Sequence, residues 1–281
     1  MLSRTPGLCA ISLAALLPAW GCGSATPAQP TPLSNAEFFE SAGARLHFVL
    51  DLPSGTGPFP GIVIGAGSGR TTTSDGAAYV PFLLQRGFAV LRYDKRGVGQ
   101  STGTYRGVSA GNSESQIAEL GGDMAAALGA LAARPGVDAG RLGLMGTSQA
   151  GWVMVAAAER TPLARFTIAV TGSVVPIGVN IQYEDLGSLP IDDAYAELAR
   201  YTGPHGYDPE PTLRSLSIPT LWLLGGQDRL VPTRVCVDVL DNLRSSGSGA
   251  ELVVYPDEGH GLLGTDYWPA IDAFLRGHGL G

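Results

Sequence analysis

Short apolar runs alternate with helix-patterned stretches through most of this chain, and that alternation restricts the fold more than any other feature. Gly61-Ile62-Val63-Ile64-Gly65 reads as a short buried strand, Ala77 to Arg86 as a helix stopped by Gly87, and Phe88 to Tyr93 as the next strand. Ser115 to Ala133 is an Ala/Leu-rich helix ended by Pro135-Gly136, and a strand over 141–146 follows. Then come a helix after Ser148, strands over Phe166 to Val170 and Pro219 to Leu224, and a helix from about Thr233. A strand over Glu251 to Tyr255 and a helix over Tyr267 to Arg276 close the series. The start differs: Glu37 to Ser41 and Ala44 to Asp51 predict two strands around Ala42-Gly43. Such alternation gives an α/β fold, a mostly parallel, doubly wound sheet covered on both faces, here with a starting hairpin. Sites in this architecture gather at the carboxyl ends of the strands.

One segment breaks the rhythm. Ser173 to Ser217 holds Pro176, Pro190, Pro204, Pro209 and Pro211, with a single helix-like piece from Asp192 to Arg200. A long insertion without strands at this point predicts a small lid over the site, spanning about 173–217. The 44% hydrophobic and 15% charged content favours a well-buried core over disorder, so 37–281 is read as one domain. The net charge of -7 argues against a nucleic-acid partner.

The N-terminus reads as a targeting segment. Arg4 precedes the apolar run Leu8 to Leu17, which is too short to span a bilayer and has signal-peptide proportions. Ala19-Trp20-Gly21-Cys22 resembles the lipobox of bacterial lipoproteins, with Ala19 where that family prefers leucine. The resemblance implies a signal peptide over 1–21 and lipid attachment at Cys22. A flexible tether over 22–36, rich in Pro, Ala and Thr, would follow. Multiple acyl chains at Cys22 would anchor the protein to the cell envelope, its only route to a membrane. Ordinary secretion with cleavage nearby is the first alternative, and a cytoplasmic protein with an unusual N-terminus the second. Cys9 would leave with the signal and Cys22 would carry lipid. Cys236 then remains alone in an apolar helical pattern, with no intrachain disulfide available.

Gly146-Thr147-Ser148-Gln149-Ala150 lies between a strand pattern and the Ala-rich helix pattern after it. A small-residue turn squeezed there forces the central side chain into the open, which makes Ser148 the candidate nucleophile. The same loose G-x-S-x-[GA] pattern recurs around Ser101 and Ser109, but both fall in Gly/Ser/Thr-rich stretches that read as loop.

A serine hydroxyl needs a base, and the base needs an orienting acid. The chain has four histidines. His47 lies inside the hairpin, His205 in the expected lid and His278 close to the C-terminus. His260, in Pro256-Asp257-Glu258-Gly259-His260-Gly261, alone follows a strand end. Leu223-Leu224-Gly225-Gly226-Gln227-Asp228 places Asp228 just past another, with Pro232 at the next helix start. Asp257 and Glu258 are read as shaping the histidine's loop. The backbone N–H of Gln149 is one expected oxyanion donor. The N–H of Ser68 is taken as the second, in the loop Gly65-Ala66-Gly67-Ser68-Gly69-Arg70 after the first parallel strand. This loop has no lysine and no G-x-x-x-x-G-K-[ST], which argues against a nucleotide.

The order Ser148, Asp228, His260 on alternating strands and helices is that of the alpha/beta-hydrolase fold. Together these residues resemble the serine alpha/beta-hydrolase superfamily, nearest to dienelactone-hydrolase-like esterases and prolyl-oligopeptidase-type catalytic domains. Tyr93 to Ser101 is similar to the family's D-x-R-G-x-G-x-S loop, and Gly65 to Gly69 to its H-G-x-G oxyanion loop, with Ala66 in place of histidine. The resemblance covers about residues 37 to 281 and implies a mostly structural role for Asp94 and Arg96. Taken with the N-terminal targeting segment, it implies an exported hydrolase of small carboxylic esters that needs no metal or organic cofactor. A peptidase or thioesterase using the same triad is the second reading. It ranks lower because about 36 residues precede the domain, too few for a propeller. An inactive hydrolase fold serving as a binding lipoprotein is the third.

Overall fold

The computed structural model describes residues 37–280. The expected signal peptide, the tether and Cys22 lie outside the described residues. The strands are β1 (Glu37–Ser41), β2 (Ala44–Asp51), β3 (Phe59–Gly65), β4 (Ala89–Tyr93), β5 (Val137–Thr147), β6 (Ala164–Val170), β7 (Thr220–Gly225) and β8 (Ala250–Tyr255). They form one sheet in the order β1-β2-β4-β3-β5-β6-β7-β8. β1 and β2 form the expected antiparallel hairpin, and β2 pairs antiparallel with β4. From β4 to β8 all pairing is parallel. Every parallel strand therefore delivers its carboxyl end to the same edge.

The helices are α1 (Val80–Gln85), α2 (Ser113–Ala132), α3 (Ala150–Arg160), α4 (Ile177–Asp185), α5 (Ile191–Leu198), α6 (Glu210–Ser215), α7 (Thr233–Ser245) and α8 (Trp268–Gly277). The two-residue period of a strand sends successive side chains to opposite faces. Val63, Leu91, Leu144 and Trp222 pack on the side of α2, α3 and α7, whereas Ile62, Ile64, Val90 and Leu223 pack on the side of α1 and α8. Both faces are dry, which is why these strands read as continuous apolar runs. Cys236 is fully buried in α7, as its apolar pattern implied, and burial pushes its thiol up to about 11.

The structure departs from the sequence reading in two places. The helix expected over Ala77–Arg86 is a 3-10 turn, Ala77–Tyr79, followed by α1, whose first turn contains Pro81. Between β6 and β7, three helices replace the single piece expected at Asp192–Arg200. The prolines explain this. Pro176, Pro190 and Pro209 occupy the cap positions that open α4, α5 and α6. Proline lacks an N–H, and the N–H groups at a helix start have no intrahelical acceptor, so these residues start helices rather than break them.

Packing between β5 and β6 leaves no slack at Gly143. A Cβ there would lie 2.2 Å from the fully buried Phe166 ring. Gly143→Ala should therefore destabilise the fold by about 1–3 kcal/mol through overpacking. Denaturant unfolding reads this as a lower midpoint, and a variant as stable as the parent would contradict it.

Candidate active site

Ser148 sits in the turn between β5 and α3 with φ +53°, a left-handed conformation that is uncommon for a residue with a side chain. Its N–H donates to Val170 O at 3.2 Å, and Gly151 N–H closes the turn on Ser148 O at 2.9 Å. The turn fits only because its neighbours are small. A Cβ on Gly146 would lie 2.5 Å from the Ala150 Cβ and 2.6 Å from Gly65 O. Ala150 is tolerated in the position usually held by glycine because both facing residues, Gly65 and Gly146, lack a Cβ.

The other two serines with the same local pattern are placed differently. Ser101 is buried, its hydroxyl donating to Asp94 O at 2.7 Å and accepting from His47 N–H at 2.9 Å. Ser109 is exposed, in a turn held by its N–H donating to Asn112 Oδ1 at 2.8 Å.

Asp228 follows β7 and is 1% exposed. Its Oδ1 accepts from the N–H groups of Leu230 at 2.8 Å and Val231 at 2.9 Å. Its Oδ2 lies 2.8 Å from His260 Nδ1. A carboxylate only accepts, so Nδ1 carries the hydrogen and Nε2 keeps a free lone pair. The loops that hold these two residues are stitched together by backbone. Gly226 N–H donates to Tyr255 O and Gln227 N–H to Glu258 O, both at 2.8 Å. Glu258 also shapes the loop as expected, its Oε2 accepting from Gly264 N–H at 3.0 Å. The remaining histidines have other partners: His47 Nδ1 meets Asp94 at 3.0 Å and His278 Nε2 meets Glu251 at 2.6 Å.

Ser148 lines a cavity of about 90 Å³ together with Ser68, Gln149, Trp152, Asn180 and Glu184. Among the described residues, neither the Ser68 N–H nor the Gln149 N–H donates a hydrogen bond. The Gln149 N–H opens α3, where helix dipoles favour negative charge. The Asn180 amide donates to Glu184 Oε1 at 2.8 Å and to Leu230 O at 3.0 Å, which commits both its hydrogens and leaves its buried Oδ1 without a partner. Burial raises the Glu184 carboxyl above the usual carboxylate range, with His260 pulling against it and Asp185 and Asp228 adding to it. No hydrogen bond joins the Ser148 hydroxyl to the imidazole in this structure. Asp228 and His260 are thus in direct contact, and Ser148, Gln149 and Ser68 line one cavity.

Sequence reasoning passed over Lys95. It is 5% exposed, and its Nζ donates to the carbonyl of Gly67 and, at 3.0 Å, to Gln149 Oε1. Its neighbours Asp94 and Arg96 are structural ties, as the resemblance implied. Asp94 accepts from Thr73 N–H at 2.7 Å and Gln100 N–H at 2.9 Å, while Arg96 forks onto Asp123 and reaches Glu119 at 2.8 Å. A charged residue directly after a strand end was the available signal for Lys95.

The chain matches the prolyl oligopeptidase family over residues 76–272, a span that includes Ser148, Asp228 and His260. It belongs to that family. Acylamino-acid-releasing enzyme 1 of Oryza sativa subsp. japonica is 25% identical over 256 residues, covering 82% of this chain and 31% of the rice protein. The chain therefore spans less than a third of that relative's length. An esterase of Pyrococcus furiosus superposes with a TM-score of 0.67 at 17% identity, covering 90% of this chain and 92% of the other. Acetyl xylan esterase 1 from Thermoanaerobacterium sp. superposes with a TM-score of 0.61 at 19% identity, covering 89% and 88%. The likeness to these structures is one of fold, and the fold is that of the alpha/beta-hydrolases.

The Asp228 contacts make a direct test of the geometry. In Asp228→Ala, the Leu230 and Val231 N–H groups lose their acceptor at a cost of roughly 1–3 kcal/mol for each donor left buried and unpaired. The far-downfield imidazole N–H proton expected for a His260 bonded to a carboxylate should vanish from the NMR spectrum. A signal that survives the substitution would contradict the assigned contact.

Proposed function

We propose that this chain is a serine hydrolase that cleaves small carboxylic esters through an acyl-enzyme. The observation that carries the reading is the Asp228–His260 contact of 2.8 Å. It leaves Nε2 as the basic nitrogen, at the same sheet edge as a serine held in a left-handed turn. Ser148 Oγ attacks the acyl carbon while His260 Nε2 takes its proton. Asp228 holds the imidazole in the required tautomer and stabilises the imidazolium. The N–H groups of Gln149 and Ser68 receive the oxyanion, and the alcohol leaves with the proton from His260. Water then repeats the sequence on the acyl-enzyme. Catalytic hydrogen bonds are often long or poorly aligned in free enzymes and tighten when substrate binds, so the lack of a Ser148–His260 hydrogen bond does not rule this route out.

A second reading, cleavage of acylated amino acids or short peptides, is favoured by the family and by the name of the rice relative. The same groups would also serve a thioester. We further infer that α4–α6 act as the lid, since Asn180 and Glu184 of α4 wall the cavity, and that Cys22 carries the lipid of an exported, envelope-anchored protein. Among the described residues no helix is long and apolar enough to cross a membrane.

Ser148→Ala should lose p-nitrophenyl ester turnover and fluorophosphonate labelling by at least about 10³-fold. Equal turnover by the two proteins would end the assignment, and an unlabelled wild type would favour a binding role. Asp228→Asn keeps an acceptor for Leu230 and Val231 but turns an N–H toward Nδ1. That forces the wrong tautomer, and kcat should fall by about 10⁴ with the fold intact. Parallel assays of esters, thioesters and aminoacyl anilides rank the two readings.

A further inference from the structure

Lys95 lies in the first turn after β4 and is almost wholly buried. Among the described residues it forms no ion pair with a carboxylate. Its ammonium has three hydrogens, and three oxygens take them: the carbonyls of Gly67 and Gly69, the latter at 3.4 Å, and Gln149 Oε1 at 3.0 Å. The Tyr105 ring lies against it, with its centroid 5.7 Å from Nζ.

Two of these acceptors adjoin the expected oxyanion donors: the Gly67 carbonyl precedes Ser68, and Oε1 belongs to Gln149 itself. The Gly67 carbonyl and the Ser68 N–H are the two ends of one trans peptide and point in opposite directions. Drawing the carbonyl toward Lys95 turns the Ser68 N–H away from it. Gln149 carries the other expected donor on its own backbone, and Lys95 fixes its side chain. Gly67 is itself close to the nucleophile, since a Cβ there would lie 3.5 Å from the Ser148 Cβ. The Gly69 N–H is already committed to Tyr105 Oη at 3.0 Å, which removes it as a donor to substrate.

We propose that Lys95 is the positioning residue of the oxyanion site: its ammonium clamps the Gly67–Ser68 peptide to Gln149, so that the two backbone N–H groups converge on the substrate oxygen. The inference rests on Ser148 being the nucleophile. A charge-assisted bond to a carbonyl also polarises its peptide and strengthens the N–H at the far end. Burial pushes the Lys95 ammonium down to about 8, with Asp75 pulling it back up. The titratable groups facing it are Asp75, in the turn before α1, and Tyr105, in the segment before α2. Its other contacts, Gly67, Gly69 and Gln149, carry no charge. The charged form that fills all three acceptors exists below that value, so kcat should decline as pH rises through about 8.

The test compares wild type, Lys95→Met and Ser148→Ala as full chains. Substrates are p-nitrophenyl esters, and the probe is an alkyl trifluoromethyl ketone, which adds to a serine hydroxyl to give a tetrahedral oxyanion. Lys95→Met should lower kcat by about 10²–10³, the loss typical of one oxyanion donor, with KM within about threefold. The ketone's inhibition constant should rise in step, and the alkaline decline in kcat should disappear. A kcat close to wild type overturns the proposal. So does a fall in kcat with undiminished affinity for the ketone, or an alkaline decline identical in both proteins. Should Lys95→Met fail to fold, Lys95→Gln takes its place with the same expected pattern. If Ser148→Ala keeps wild-type turnover, the nucleophile assignment fails and this inference falls with it. If Ser148→Ala is inert and Lys95→Met is fully active, only the role of Lys95 is overturned.

Discussion

Clearance at the carboxyl edge of the sheet is the constraint on which the rest depends. β3 and β7 end on Gly65 and Gly225, and β5 reaches Gly146 just before its end. A Cβ on Gly65 would lie 2.8 Å from Met124 Cε, and one on Gly225 would lie 2.5 Å from the carbonyl oxygens of Glu258 and Gly259. With one on Gly146 2.5 Å from Ala150, all three strand ends are closed to any side chain. The missing atoms let the following loops fold back over the sheet. Gly146 allows the sharp turn at Ser148, Gly65 makes room for Ala150, and Gly225 with Gly226 lets the Asp228 and His260 loops share backbone hydrogen bonds. Larger residues would push these loops outward, and the groups they carry would no longer meet.

A layer of buried charge lies beside this edge. Arg96 grips Asp123 and Glu119, and Asp94 gathers His47 with the Thr73 and Gln100 N–H groups. Burial raises the Asp123 carboxyl, and the forked bond from Arg96 offsets only part of that rise. Buried pairs of this kind contribute little net stability once desolvation is counted, although removing one partner is costly. Their effect here is on placement. They fix where the segment after β4 leaves the sheet, and Lys95 lies in its centre. Lys95 N–H also bonds Thr71 O at 3.1 Å, joining this segment to the one that follows β3.

The parts of the site that follow local rules were legible in the sequence. A serine in a small-residue turn between a strand and a helix, and polar residues just past strand ends, are positions that short windows reveal. Among the four histidines, the structure gives His47 and His278 acidic partners elsewhere and stacks His205 against Tyr201, while His260 meets Asp228. The helices between β6 and β7 were not legible. Their prolines look like breakers until it is known that each one stands at a helix start. Lys95 was hidden for a different reason. Its acceptors come from segments 28 and 54 residues away, and no local window contains them. The Ser148 hydroxyl makes no hydrogen bond to the imidazole in this structure, and side-chain rotation is a property that neither pattern nor spacing encodes.

The run Asp94-Lys95-Arg96 divides its labour in a way that explains the lone ammonium. Burying a charge without a counter-ion is costly, and most proteins pair it or neutralise it. Here the carboxylate beside Lys95 is spent on backbone N–H groups and His47, and the carboxylates across from the segment are spent on Arg96. Lys95 is left with carbonyl dipoles and one amide oxygen. A carboxylate partner would have quenched its field, whereas carbonyl groups pass it on, because each polarised C=O ends in an N–H on the far side of the same peptide. On the proposed role of Lys95, the uncompensated charge reaches the cavity as an oriented Ser68 N–H dipole, fixed before any substrate arrives. Electrostatic stabilisation of a developing oxyanion depends on such preorganisation, since dipoles already in place need not reorient as the charge forms.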